Sequence, residues 1–369
     1  MTNIHDYLRW RGDLTAAQTP FNEVDALILA KLVYIPFEMI ELRRGSAPVT
    51  VGEAAAALLA RSDLAQRVHF EDDIDLLREL ASSARFCDMR LSNYIDRIDE
   101  ESQTQFAAIT VQIADRLRYI SYRGTDATLV GWKENFNMTF TFPVPAQKSA
   151  LDYLEQTAAA EKGHFILGGH SKGGNLAMYA AAMAKPAVQC RINTVYNFDG
   201  PGFDEKMLNT PGYECVCGRM KTFVPQSSIV GLLLAHEEQY TIVKSAEKTG
   251  VMQHDISSWE VERDHLRYLD KVTNSSRFID RTLKGWYADV DIEKREKFID
   301  ALYDIVSKTN ARTLHDLDDN WLESAAVILS SYGSLDEETK KVITNTLSLL
   351  IKNVRENLGP LLKEGRKAR

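Results

Sequence analysis

The most constraining stretch of this chain lies between residues 165 and 183. Phe165-Ile166-Leu167-Gly168 has the apolar character of a buried strand, and Asn175-Leu176-Ala177-Met178-Tyr179-Ala180 reads as a helix. Only Gly169-His170-Ser171-Lys172-Gly173 separates them. A strand that turns into a helix this abruptly has almost no room inside the bend, so the residues two before and two after its apex come too close for a Cβ. Gly169 and Gly173 supply that room, and Ser171 is left at the apex in a strained conformation. Such a turn needs a strand inside a sheet and a helix packed on it.

The periodicity of the rest of the chain is consistent with that demand. From Asn22 to about Asp96 the pattern is helical: Val24, Ala26-Leu27-Ile28, Leu32 and Ile35 recur every three to four residues, with Asn22 as cap. The period then changes. Phe106 to Ile113 and Leu117 to Tyr122 are rich in β-formers and flank Ala114-Asp115-Arg116, which predicts a hairpin. After it come a helix from about Gln147 to Glu161, strands at 165–168, 194–198, 221–224 and 240–244, a helix from Lys172 to Met183 and a short one at 229–235. Strands alternating with helices predict an α/β fold with a mostly parallel sheet covered on both faces. Three regions are expected: an N-terminal helical extension (1–105), an α/β core (106–288) and a C-terminal helical extension (289–369) packed on that core. In the last helix Ser334 and Glu337 have capping-box spacing, and Ile343, Leu347, Leu350, Ile351 and Val354 line one face. That face suits packing on the core; transient contact with a membrane surface is the alternative.

Composition narrows the partners. The net charge is −8, with acids and bases interspersed, which argues against a nucleic-acid-binding surface. The N-terminus, Met1 to Trp10, lacks the basic start and apolar run of a secretory signal, and the apolar stretch Ala26 to Ile40 is short and broken by Lys31 and Glu38. The four cysteines, Cys87, Cys190, Cys215 and Cys217, are too few and too unevenly placed for a disulfide scaffold, so a cytoplasmic location is expected. Cys215-Val216-Cys217 lacks a second Cys/His pair at zinc spacing, so neither a metal nor another cofactor is expected.

The strand–Gly-x-Ser-x-Gly–helix arrangement resembles the nucleophile elbow of the α/β-hydrolase fold, in which acid and then histidine are expected to follow the serine along the chain. His254, in a loop beyond the last core strand, is the expected base; His236, at a helix end, and His265 and His315, within helical patterns, are the other histidines downstream. Asp199 ends a strand and precedes Gly200-Pro201-Gly202, as a catalytic acid would, although a turn-starting Asp has the same pattern; Asp255, beside the histidine, is the alternative acid. The Lys172 amide at the helix N-terminus and the Thr125 amide in Arg123-Gly124-Thr125 are the expected oxyanion donors, with Arg123 bracing that loop through an ion pair. Asp204 to Cys217, with Met207, Leu208 and Tyr213, is a candidate lid.

At these residues the chain resembles the class 3 lipases, whose Arg-Gly-Thr/Ser loop, downstream Trp and Gly-His-Ser-x-Gly-Gly elbow correspond to Arg123-Gly124-Thr125, Trp132 and Gly169 to Gly174. It resembles more closely a bacterial family of lipase-like hydrolases catalogued mainly as a domain of unknown function. The carriers of that resemblance are Trp10-Arg11-Gly12-Asp13, Pro20 to Asp25, the elbow, Asn197 to Gly202 and Ser228-Ile229-Val230-Gly231, spanning about Asp6 to Trp259. The resemblance implies a serine hydrolase acting on small-molecule or lipid carboxylic esters. Two departures stand out: Lys172 replaces the usual leucine, and Ser227-Ser228 stands where the lipases carry their acid, which favours Asp199. A non-catalytic binding or regulatory protein on the same scaffold is the competing reading.

Overall fold

The computed structural model describes residues 2–367 apart from 71, 100, 102–103, 126–128, 139–140, 249, 251, 308–326 and 328–329. Its helices are α1 (Ile4–Arg11), α2 (Glu23–Leu32), α3 (Val51–Leu59), α4 (Asp73–Ser82), α5 (Leu129–Asn137), α6 (Pro145–Ala160), α7 (Lys172–Met183), α8 (Pro186–Gln189), α9 (Glu205–Leu208), α10 (Pro211–Cys217), α11 (Asn274–Asp289), α12 (Ile292–Ser307) and α13 (Glu337–Lys367). Its strands are β1 (Val49–Thr50), β2 (Arg90–Asp99), β3 (Thr104–Ala114), β4 (Leu117–Tyr122), β5 (His164–His170), β6 (Ile192–Phe198), β7 (Met220–Pro225), β8 (Tyr240–Val243), β9 (Val261–Glu262), β10 (His265–Leu266) and β11 (Tyr268–Leu269).

Among the described residues nine strands form one sheet in the order β1-β2-β3-β4-β5-β6-β7-β8-β11. Strands β4 to β8 are parallel; β3 pairs antiparallel with β4 as the expected hairpin, and β11 closes the far edge antiparallel to β8. The sheet is buried on both faces, and the strand period of two sorts the side chains between them. Tyr119, Ile166 and Tyr196 enter one core with α1 to α4, whereas Ile120, Phe165, Leu167 and Val195 enter the other with α6, α7 and α10.

The N-terminal helices are therefore a layer of the core rather than a preface to it. The compact units divide the chain otherwise than the three-part reading: residues 1–97, 106–124 and 146–272 form one unit, and 98–105, 125–145 and 273–369 the other. In the second unit Trp286, Val290, Phe298, Ile299, Ile305 and Ile343 build a separate core, and Lys133 on α5 pairs with Asp300 on α12 at 2.9 Å. The capping-box expectation there is displaced: Asp336 accepts from the Thr339 amide at 2.8 Å, and Ser334 Oγ donates to the Ser331 carbonyl at 2.8 Å. The candidate lid is also corrected, because Met207, Leu208 and Tyr213 are buried in the first unit's core.

The segment Pro20 to Asp25 has a structural purpose. Asn22 caps α2, and Asp25 returns a bond to the Asn22 amide while accepting from Arg85 Nε at 2.6 Å and Tyr7 Oη at 3.0 Å. Arg85 and Asp25 side chains are both fully buried, so truncating one strands the other's charge. Arg85→Ala is expected to lower stability by about 3–5 kcal/mol, read as a shift of the urea midpoint; a change below about 1 kcal/mol, the value of an exposed pair, would contradict it.

Candidate active site

The elbow follows from strand pairing and crowding. Residues of β5 align with β6 as far as His170 opposite Phe198, and the Ser171 amide donates to the Phe198 carbonyl at 2.9 Å. Ser171 then adopts φ +58°, ψ −132°, a conformation rare for a residue with a Cβ, and α7 begins at the next residue. A Cβ on Gly169 would stand 2.5 Å from the Gly173 and Tyr122 carbonyl oxygens, and one on Gly173 would collide with Tyr122. Both glycines are thus required by close approach.

Asp199 leaves the end of β6 as the next strand end beside Ser171, also with positive φ (+52°), and is completely buried. Its Oδ1 accepts from Ser228 Oγ at 2.5 Å and from the Gly231 amide at 3.1 Å, while Oδ2 accepts from His254 Nδ1 at 2.6 Å. A carboxylate accepts only, so His254 carries its proton on Nδ1 and presents Nε2 as the basic nitrogen. Ser228, in the loop after β7, thus bonds the carboxylate that ends the neighbouring strand β6. Asn197 closes the turn behind Asp199 by accepting from the Gly200 amide at 2.9 Å, and Asn175 of α7 donates to the Pro201 and Gly202 carbonyls.

The loop bearing His254 is fixed independently. Gln253 accepts from the Ser227 amide at 2.8 Å and donates to the Glu247 carbonyl at 2.7 Å, while Trp259 Nε1 donates to the Gln253 carbonyl at 2.8 Å. Asp255 turns away and accepts from the Ser257 amide at 2.9 Å. His236 pairs with Glu238 at 2.7 Å, His265 bonds the Leu266 carbonyl, and His315 lies outside the described residues.

Sequence reasoning missed a second layer behind the site. His170 Nε2 donates to the His254 carbonyl at 2.8 Å, so its Nδ1 is the acceptor, facing Tyr34 Oη at 3.3 Å; Tyr34 Oη in turn accepts from the Gly124 amide at 3.0 Å. The His170 and His254 rings are 4.5 Å apart. Burial, reinforced by His254 nearby, holds the His170 pKa well below its ordinary value, so this ring stays neutral and keeps both bonds. From beyond the end of α2, Tyr34 thus links the loop at Gly124 through His170, 136 residues away in sequence, to the backbone of His254. No local pattern marks that distant pairing.

On the other side of the serine, a Cβ on Gly124 would lie 3.1 Å from Ser171 Cβ, which puts the Arg123-Gly124 backbone against the elbow. Arg123 is braced as expected, by Asp96 at 2.7 and 2.8 Å. Thr125 begins the second unit, where its hydroxyl donates to Asn135 Oδ1 at 2.7 Å, and Lys172 is buried in the first turn of α7. The structure thus brings Ser171, Asp199, His254, Lys172, Gly169 and Gly173 together in one unit, with Thr125 outside it. Among the described residues no cluster of His, Cys, Asp and Glu fits a metal, and no helix is long and apolar enough to cross a membrane.

A mostly parallel sheet with helices on both faces, a serine on a strand–helix elbow and an aspartate–histidine pair at the next strand end define an α/β-hydrolase fold. The chain belongs to the Mbeg1-like family, whose model matches residues 80–304. Among solved structures it is similar to M37 lipase, with 14% identity over 56% of this chain and 68% of that one and a TM-score of 0.32. It is also similar to Rhizomucor miehei lipase in its propeptide complex, with 13% identity over 72% and 94% of the two chains and a TM-score of 0.33. No curated protein matches the chain.

Proposed function

We propose that the protein is a serine hydrolase of carboxylic esters, with Ser171 as nucleophile, His254 as base and Asp199 as the acid that orients it. The observation that carries this is the 2.6 Å contact between Asp199 Oδ2 and His254 Nδ1, made beside a serine held at positive φ. In this reading Ser171 Oγ attacks the acyl carbon and His254 Nε2 takes its proton, then returns it to the leaving alcohol; water repeats the sequence to release the acid. Among the described residues Ser171 Oγ has no hydrogen bond, and the proposed reaction requires the serine and imidazole to come within hydrogen-bond reach when substrate binds. The Lys172 amide, at the positive end of α7, is the proposed oxyanion donor.

The substrate is tested with an ester chain-length series assayed above and below the solubility limit of the longer members. Turnover that jumps when the ester forms an interface identifies a lipase; turnover without a jump identifies a soluble esterase. No turnover of any member would sink the reading and favour a binding protein on this scaffold.

Tyr34 acts as a positioning residue here. Tyr34→Phe removes an acceptor from the Gly124 amide and a donor to His170, and so loosens both sides of the site at once. The expected result is a fall in kcat of roughly ten- to a hundredfold with KM little changed. A purely structural tyrosine would lower the unfolding midpoint and leave kcat intact.

A further inference from the structure

A concavity lies in the first unit between the segment after α2, strand β2 and helix α6. Its volume is about 590 Å³, in the range that holds a small ligand. Ser171, Asp199 and His254 are not part of its wall.

The charges lining it fall into two groups. Two of its acids are engaged: Glu38 accepts from Tyr94 Oη at 3.1 Å and faces Arg67 at 3.4 Å, and Asp96 holds Arg123. Asp152 is exposed and has no ion-pair partner among the described residues. Arg43, Arg44 and Arg97 also line the cleft, and among the described residues none of them has a carboxylate within 4.0 Å. Three guanidinium groups without a carboxylate partner against one carboxylate without a basic partner leave an excess of positive charge on a chain whose net charge is −8.

The wall that carries them is built. Tyr153 Oη donates to the Asn93 carbonyl at 3.0 Å and therefore accepts from Thr110 Oγ1 at 2.8 Å, and the Arg44 guanidinium lies over the Tyr153 ring, 5.4 Å from its centre. Asn93 holds φ +55° in the middle of β2, an unfavourable conformation that this bond helps to maintain. Guanidinium groups present forked donors that match the oxygens of a phosphate, and here three of them line one cleft.

We propose that this cleft binds the phosphate group of an organic phosphate, with Arg43, Arg44 and Arg97 as its ligands. The chemistry is the same for a soluble phosphate and for a phospholipid headgroup. The proposal is independent of hydrolysis, since it uses neither Ser171 nor His254.

The full chain is titrated with inorganic pyrophosphate by calorimetry, and a Ser171→Ala background is sedimented with phosphatidylcholine vesicles with and without phosphatidic acid. Saturable binding is expected in at least one arm. Binding of pyrophosphate identifies a soluble ligand, and binding confined to the acidic vesicles identifies a headgroup. The triple substitution Arg43→Gln, Arg44→Gln, Arg97→Gln should weaken that binding about tenfold or more. All three positions are exposed, and an unchanged unfolding midpoint verifies the fold. The control Arg61→Gln, Arg78→Gln, Lys248→Gln removes the same charge elsewhere and should retain binding. No saturable binding in either arm, retention by the cleft variant, or an equal loss in the control would overturn the proposal.

Discussion

Ser171→Ala is expected to abolish covalent labelling by a fluorophosphonate and to lower kcat for any ester the protein turns over by roughly a millionfold, the scale seen when a triad nucleophile is removed. The reason is local to the elbow. Ser171 is 8% exposed and held at φ +58° by crowding on both sides, which sets its hydroxyl next to a positive helix end, as the proposed nucleophile requires. Ser227 and Ser228 are the informative comparisons, because both are buried near the same loop and Ser228 Oγ is committed to Asp199. Labelling that persists in Ser171→Ala, or a native protein that fails to label at all, would remove the nucleophile from the proposal.

Asp199→Asn should keep the fold and lower kcat by roughly three to four orders of magnitude. An amide nitrogen donates where the carboxylate accepted, so the imidazole would turn its basic nitrogen toward residue 199 and leave a protonated Nε2 facing Ser171. Ser228 and the Gly231 amide also donate to this carboxylate, so the asparagine oxygen has partners that can hold it in place. Asp255→Asn is the matched control: its side chain caps the short helical turn after His254 and should change turnover little. Near-normal turnover in the Asp199 variant would refute the assignment, and a large loss confined to the Asp255 variant would transfer the role.

What was legible in the sequence depended on the distance over which it is encoded. The elbow, the β3–β4 hairpin and the Asn22 cap are set by backbone sterics, alternation or a side chain reaching three residues along, and all are visible in a short window. Strand β2 failed by the same logic. Its buried residues Leu91 and Tyr94 are three apart, a helical spacing, because Asn93 takes a left-handed conformation and breaks the alternation. Asp336 rather than Ser334 caps α13 because competing caps two residues apart cannot be ranked by spacing alone.

By itself the sequence determined the fold class and marked Ser171, since a serine between two glycines at a strand–helix junction leaves the chain few ways to bend. It also singled out His254 and Asp199 from strand ends, but left Asp255 open. Only the tertiary structure shows which carboxylate meets the His254 ring, because that contact depends on which side chain reaches Nδ1, and Asp199 does so across 55 residues of chain. The same holds for Ser228 on the acid and Tyr34 on His170: each is an ordinary polar residue until the parallel sheet places its strand end or helix end beside the elbow. A hydrogen bond between residues distant in sequence leaves no period and no spacing in either partner, so it becomes visible only when the two sides of the sheet are assembled.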